Sequence, residues 1–384
     1  MPKISDYLAS ADQRPAGFDY MRLLLALFVM FSHAAHISLG KDFNEMLWRE
    51  PLTRAVLSAA LPMFFTLSGF LVAASMQRSR TVVKFMGLRF IRIYPALAVD
   101  ILFTALILGP LVTTLPMDQY FTDPLFFSYL KNIIGHDIVF LLPGVFEDAN
   151  SHYVNLQLWT IPFELACYII LGALMVCSFR GRFRAVMLLG SLAYFAIALA
   201  MTGLASGWTF ADWDGAVGGR MLVVSFLLGV NIYLWREEIP ASPALAVAAL
   251  IATGLALGYG PFNRIVGVFP AAIFTIYLGI ANPRRIALLK SADLSYGIFL
   301  YHFAIMQAVV YFAGGSLSFL WTFVISLPIV IGFAALSWNF VEKPALSLRS
   351  KVDQLERWWM TTWPHKLAIR AEEMATARLS PQAA

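Results

Sequence analysis

Apolar residues in this chain fall into long, nearly unbroken runs, and polar residues collect in short segments between them. Ten runs are long enough for a membrane crossing of ~20 residues: 18–39, 52–75, 93–113, 156–178, 185–203, 218–235, 243–259, 262–281, 294–313 and 319–340. Only GYGPFNR separates the seventh from the eighth, and no internal repeat is visible. The segment 114–155 is too long and too apolar for a plain linker, so a partly structured cap over an outward-facing cavity is expected. The C-terminal stretch mixes Trp with basic residues, which predicts an interfacial amphipathic segment and then a disordered end. The pattern predicts an all-α, polytopic integral membrane protein of about ten transmembrane helices. Residues 1–345 form the transmembrane domain and 346–384 a cytoplasmic tail.

Composition agrees. The chain is 59% hydrophobic and 13% charged, against roughly 25% charged in soluble domains, and its mean hydropathy is +0.71. The N-terminus is too polar for a cleaved signal peptide, so the first span is expected to be retained. No polar stretch is long enough for a fused catalytic domain. With the N-terminus inside, the inner segments hold 21 Lys and Arg and the outer segments six, as the positive-inside rule requires. Both termini are then cytoplasmic. Basic loops facing anionic lipid account for the net charge of +5 without nucleic acid. Cys167 and Cys177 lie ten residues apart in one apolar run, cannot pair with each other, and read as small buried hydrophobes.

Several ionisable residues interrupt the apolar runs, where such groups are functional by default. RLLLALFVMFSH places Arg22 and His33 eleven residues apart. Eleven residues advance about 1,100°, three turns plus roughly 20°, so the two share a helix face about 16 Å apart along the axis. Asp19 lies one turn before Arg22 and pairs with it; His36 lies three residues after His33. The plain alternative has Arg22 snorkelling to the interface and His33 bonding a neighbouring helix. In WTIPFELACY, Glu164 follows Pro162, whose bend could turn the carboxylate toward a cavity. There it could orient His33, or it could be a protonated packing group. Arg89 and Arg92 share a face and suit phosphate groups, although topology anchoring explains them as well. Glu342 and Lys343 in FVEKP are expected to pair at the membrane surface.

Taken in order, FDYMRLLLALFVMFSH, FFTLSGF, RFIR, LWTIPFE, SYGIFLYH and FVEKP resemble acyltransferase family 3, bacterial membrane O-acyltransferases of surface glycans. The match covers about 18–344, although FDYMRLLLAL is bulkier than the family's usual form around the arginine. The resemblance implies acyl-CoA, acetyl-CoA first, as donor from the cytoplasm. It implies a glycan or lipid-linked saccharide as acceptor, the bacterial inner membrane as location, polysaccharide-assembly machinery as a partner, and no metal. Arg89 and Arg92, with Arg22, then meet the CoA phosphates, and Arg22 and His33 mark the ends of one donor channel. His33 acts as general base or transient acyl carrier, Glu164 steadies it, and the Asp19–Arg22 pair is structural. The oxyanion donor is sought in Ser68, Tyr301 or the backbone near Gly69, with Ser68, Tyr301 and His302 as substrate contacts. The rival class is a proton-coupled transporter using the same His, Glu and Arg as a relay.

Overall fold

The computed structural model describes residues 1–177, 182–205, 217–259, 263–286 and 292–362, with the side chains of 41–47, 205 and 263 set aside. Every structural statement concerns these residues. Among them the secondary structure is helical, and the β-type pairings are isolated bridges, Lys3 with Pro240 and Thr113 with Val145. The elements used here are α1 (Ile4–Ser10), α2 (Ala16–Arg49), α3 (Pro51–Gln77), α4 (Val82–Phe103), α5 (Ile161–Cys177), α6 (Phe183–Ala205), α7 (Gly219–Leu234), α8 (Pro243–Gly258), α9 (Val268–Gly279), α10 (Ser295–Phe312), α11 (Phe319–Ser337) and α12 (Arg349–Thr362).

Seven helices are long and apolar enough to cross a bilayer, and three more, Gly219–Leu234, Pro243–Gly258 and Arg264–Gly279, are apolar but shorter. Each of the ten expected spans falls on one of these ten. The largest shift is in the third. The helix begins at Val82 rather than near residue 93 and runs on through a π-helical turn at Thr104–Leu108 to Val112. Arg89 and Arg92 therefore lie within the helix, on the shared face that their spacing predicts. At Gly40, φ of 72° breaks the helical path of α2, a conformation open to glycine because it has no Cβ.

Hydrogen bonds sort the connecting segments into two ends. At one end, Ile4 N donates to Ile239 O and Ala241 N to Pro2 O, so the N-terminal segment is fastened to the α7–α8 connection. At the other, Asn150 Nδ2 donates to Ser38 O, Arg54 to Gly258 O, and Gln307 Nε2 to Ser151 O and Tyr153 O. These pairings match the alternation read from the sequence. The segment 114–155 is partly structured, as expected: Met117–Thr122 and Pro124–Leu130 are short helices, and Asn132 closes a turn by bonding both backbone groups of Val139. The tail begins as α12, docked on α4 through Lys84 with Asp353 and Glu356 and through Thr81 with Glu356. The end expected to be disordered, 363–384, lies outside the described residues.

The central helix α3 packs against α2, α7, α8 and α9. Its closest approach is to α7, where a Cβ on Gly69 would lie 2.0 Å from Phe226 O and one on Gly229 would lie 2.1 Å from Thr66 O. Helices in lipid associate by such close packing of small residues, since apolar burial alone gives no preference for a neighbouring helix over lipid. Gly69→Val should force the two helices apart, at the ~1–3 kcal/mol typical of overpacking. Thermal unfolding of purified protein in detergent should show that loss, while Gly254→Ala, where a Cβ meets nothing within 4 Å, should leave the transition in place.

Candidate active site

Helix α2 carries both Arg22 and His33, and the chain is helical between them, so the predicted spacing along one rod holds. His33 meets α10. Its Nδ1 lies 2.7 Å from Nε2 of His302, with the rings nearly parallel and 5.0 Å apart. Nδ1 of His302 lies 3.0 Å from Ile298 O. A carbonyl only accepts, so His302 Nδ1 carries the proton, and a neutral His302 then offers Nε2 as a lone pair. His33 Nδ1 must be the donor to it. Nε2 of His33 is left as a bare lone pair, with no hydrogen-bond partner among the described residues.

His33 lines a cavity of about 690 Å³ together with His36, Ser58, Pro62, Gln157 and Trp159. Most of the wall is apolar. Residues 114–155 contribute nothing to it; the expected cap packs elsewhere, and the wall comes instead from the chain just after it, at 156–160. Phe28 marks the cavity's nearest approach to Arg22 along α2, and neither Arg22, Arg89 nor Arg92 reaches it. Buried Ala26 and Met30 stand between Arg22 and His33 on α2.

At the arginine end, charges answer one another. Arg22 bonds Asp19 at 3.1 Å and Asp293 at 2.9 Å. Arg92 bonds Asp293 at 2.7 Å and Glu342 at 3.2 Å, and Arg285 joins Asp19 at 3.1 Å. The predicted Asp19–Arg22 pair is present, and Glu342 is paired, but with Arg92 inside the bundle. Arg92, expected to await phosphate, has its guanidinium taken up by two carboxylates. Arg89 differs. It donates to Ser75 Oγ at 3.0 Å and sits near the rings of Phe85 and Tyr168, its Nε has no partner, and no carboxylate lies within ion-pair distance among the described residues.

The roles expected of five residues change with these positions. Glu164 does not reach His33: it accepts from Tyr168 OH at 2.6 Å and belongs electrostatically with Arg92 and Arg89. The helical spacing of four residues makes Tyr168 the nearer partner. His302 has both ring nitrogens engaged and is fully buried, which leaves none for substrate. Tyr301 points the other way, donating to Ser337 Oγ at 3.2 Å, which in turn donates to Glu342 at 3.3 Å. Ser68 stands beside Tyr168, away from the cavity, and Gly69 lies inside a continuous helix, where its N–H belongs to the helical ladder.

Asp293, Tyr168, Asp100 and Gln157 were not singled out from the sequence. Asp100, a carboxylate inside LAVDILF, had the same signal as Glu164; Asp293 and Gln157 lie in short polar stretches with nothing local to mark them. Among the described residues, no three His, Cys, Asp or Glu side chains are grouped to hold a metal ion.

The chain matches the family model described as Acyltransferase domain over residues 16–338. It is 29% identical over 360 residues to Nodulation protein 10 of Rhizobium leguminosarum bv. viciae, covering 88% of this chain and 94% of that one. It is 26% identical over 345 residues to the O-acetyl transferase of Shigella phage Sf6, covering 87% and 96%. No solved structure matches it.

The arginine cluster yields a pH prediction. Burial raises the pKa of Asp293, but Arg22 and Arg92 outweigh it and hold the carboxyl well below the usual carboxylate range. A depressed carboxylate contributes its stability above the unfolded value of ~3.9 and loses it as pH falls toward the folded value. The stability lost in Asp293→Asn, measured by thermal unfolding in detergent, should be constant from about pH 5 to 8 and shrink below about pH 4.

Proposed function

The chain belongs to acyltransferase family 3 and is a membrane O-acyltransferase, and from that premise we propose that it moves an acetyl group from acetyl-CoA to a hydroxyl of a glycan held at His33. The observation that carries this reading is the bare Nε2 of His33, directed by His302 and opening on a largely apolar cavity inside a helical bundle. A nitrogen fixed in that state can accept a hydroxyl proton, and a cavity that limits water protects a thioester from hydrolysis.

The steps follow from these positions. The acceptor hydroxyl gives its proton to His33 Nε2 as its oxygen attacks the thioester carbonyl. Positive charge forming on His33 is shared through Nδ1–H with the Nε2 lone pair of His302, which is in turn held by Ile298 O. Collapse of the tetrahedral intermediate breaks the C–S bond, and the leaving thiolate takes the proton back from His33. Glu164 holds Tyr168 beside Arg89 at the arginine end, and so acts on the donor side as a positioning residue rather than on the base. Arg89 is the donor-phosphate residue. Among the described residues it makes no direct ion pair, its Nε has no partner, and phosphate would supply one.

On this reading the arginine end faces the cytoplasm of a bacterium, as its basic segments favour. The pantetheine arm, about as long as the Arg22–His33 interval, must part the packing around Ala26 and Met30 to bring the thioester to His33. The name of the phage relative favours acetyl as the group moved. The transporter alternative gives way, since family membership accounts for the same buried residues.

Purified protein in nanodiscs, supplied with radiolabelled acetyl-CoA and glycoside acceptors, tests the assignment. His33→Ala should lose on the order of 10²- to 10⁴-fold in transfer while inserting and folding normally; retention of more than a tenth of wild-type activity would refute the base. Arg89→Ala should raise the KM for acetyl-CoA far more than it lowers kcat, because the phosphates lie remote from the reacting carbonyl. Arg92→Ala should instead lower thermal stability, leaving Asp293 and Glu342 without their shared cation.

A further inference from the structure

A second polar group stands in the wall of the His33 cavity. It lies where the chain enters α5, in a sequence that carries no charge. Gln157, 1% exposed, lines that cavity. Its Nε2 donates to Leu300 O at 2.5 Å and to Asn155 Oδ1 at 3.2 Å. Asn155 Nδ2 lies 2.8 Å from Tyr129 OH and 3.3 Å from both Thr104 Oγ1 and Asp100 Oδ2. Asp100 and Asn155 are fully buried.

These contacts fix both amides. Leu300 O only accepts, and Thr104 Oγ1 already gives its proton to Asp100 O, so the NH₂ of Gln157 must face Leu300 O and the NH₂ of Asn155 must face Thr104. Oε1 of Gln157 is then the atom left over, and it has no hydrogen-bond partner. Ser58 Oγ, in the same cavity wall, also lacks one. A buried polar atom without a partner is unfavourable beside an apolar cavity, and the bonds to Leu300 and Asn155 hold this one in place. The same helix, α10, places both functions: its residue 300 holds Gln157 and its residue 302 holds His33.

We propose that Gln157 is the acceptor-selecting residue: its Oε1 accepts a hydrogen bond from a second hydroxyl of the sugar whose first hydroxyl lies at His33. This rests on the glycan reading above and names a contact for it. An amide oxygen only accepts, so Gln157 takes no part in stabilising the oxyanion; it selects substrates that present a hydrogen-bond donor. Asn155 and Asp100 are positioning residues that keep the amide from flipping.

The test uses full-length protein in nanodiscs, acetyl-CoA, and a panel of methyl hexosides with their monodeoxy analogues. The wild-type enzyme should discriminate against one particular deoxy analogue. Gln157→Met should raise the KM for the parent glycoside roughly tenfold, as expected for one lost hydrogen bond, without changing the KM for acetyl-CoA. It should also treat the parent and that deoxy analogue alike, because the interaction is already gone. Gln157→Asn keeps an amide but draws its oxygen back by one methylene, and should lose the discrimination in the same way even if the methionine variant does not assemble. A methionine or asparagine variant with wild-type KM and undiminished discrimination overturns the assignment alone. A wild-type enzyme that hydrolyses acetyl-CoA but acetylates no glycoside overturns the glycan reading and this contact with it.

Discussion

The interior of a bilayer offers no water to a charge or a hydrogen-bonding group, so each such group must be answered from within the protein. That constraint divides this structure's polar residues into two sets. At one end, three arginines and acidic partners form a network in which Asp293 bridges Arg22 and Arg92, and Asp19 bridges Arg22 and Arg285. Deeper in the bundle the polar groups are joined in chains, His33 to His302 to a backbone carbonyl, and Gln157 to Asn155 to the Asp100 side chain. Where an answer is missing, at Arg89, at Nε2 of His33 and at Oε1 of Gln157, a substrate group of complementary chemistry can supply it.

Two neutral imidazoles in series suit a catalytic base placed in lipid. A carboxylate beside His33 would bring a second buried charge, with a desolvation penalty of several kcal/mol before any attraction is counted. A second histidine avoids that charge and still sets the tautomer. On the proposed mechanism it also lets the positive charge that forms during transfer spread over two rings, only while it exists. The glycine contact between α3 and α7 serves the same site indirectly, by holding α3, which carries Ser58 and Pro62 in the cavity wall, against its neighbours.

Much of the architecture was legible in the sequence because lipid imposes a length and an apolar composition on each crossing. The ten runs were found for that reason, and the placement of Arg22 and His33 on one helix face followed from helical geometry alone. The start of α4 was missed because Arg78, Arg80 and Lys84 read as loop. Partners distant in sequence were out of reach. His302 is 269 positions from His33, and Asp293 and Glu342 are 201 and 250 from Arg92. Local spacing favoured Glu164 as the partner of the base, and the bundle brought His302 there instead. Asp100 was readable as a carboxylate in an apolar run, whereas Gln157 carries no charge and gained its meaning only from its place in the cavity wall.

The account turns on which nitrogen of His33 bears the proton. Nitrogen-15 NMR of protein labelled at histidine, with His33→Gln and His302→Gln variants to assign the signals, reads that state directly. The account predicts a His33 ring protonated at Nδ1 and bare at Nε2, with a scalar coupling across the hydrogen bond to Nε2 of His302. A His33 ring that carries its proton on Nε2, or shows no coupling to His302, would contradict it.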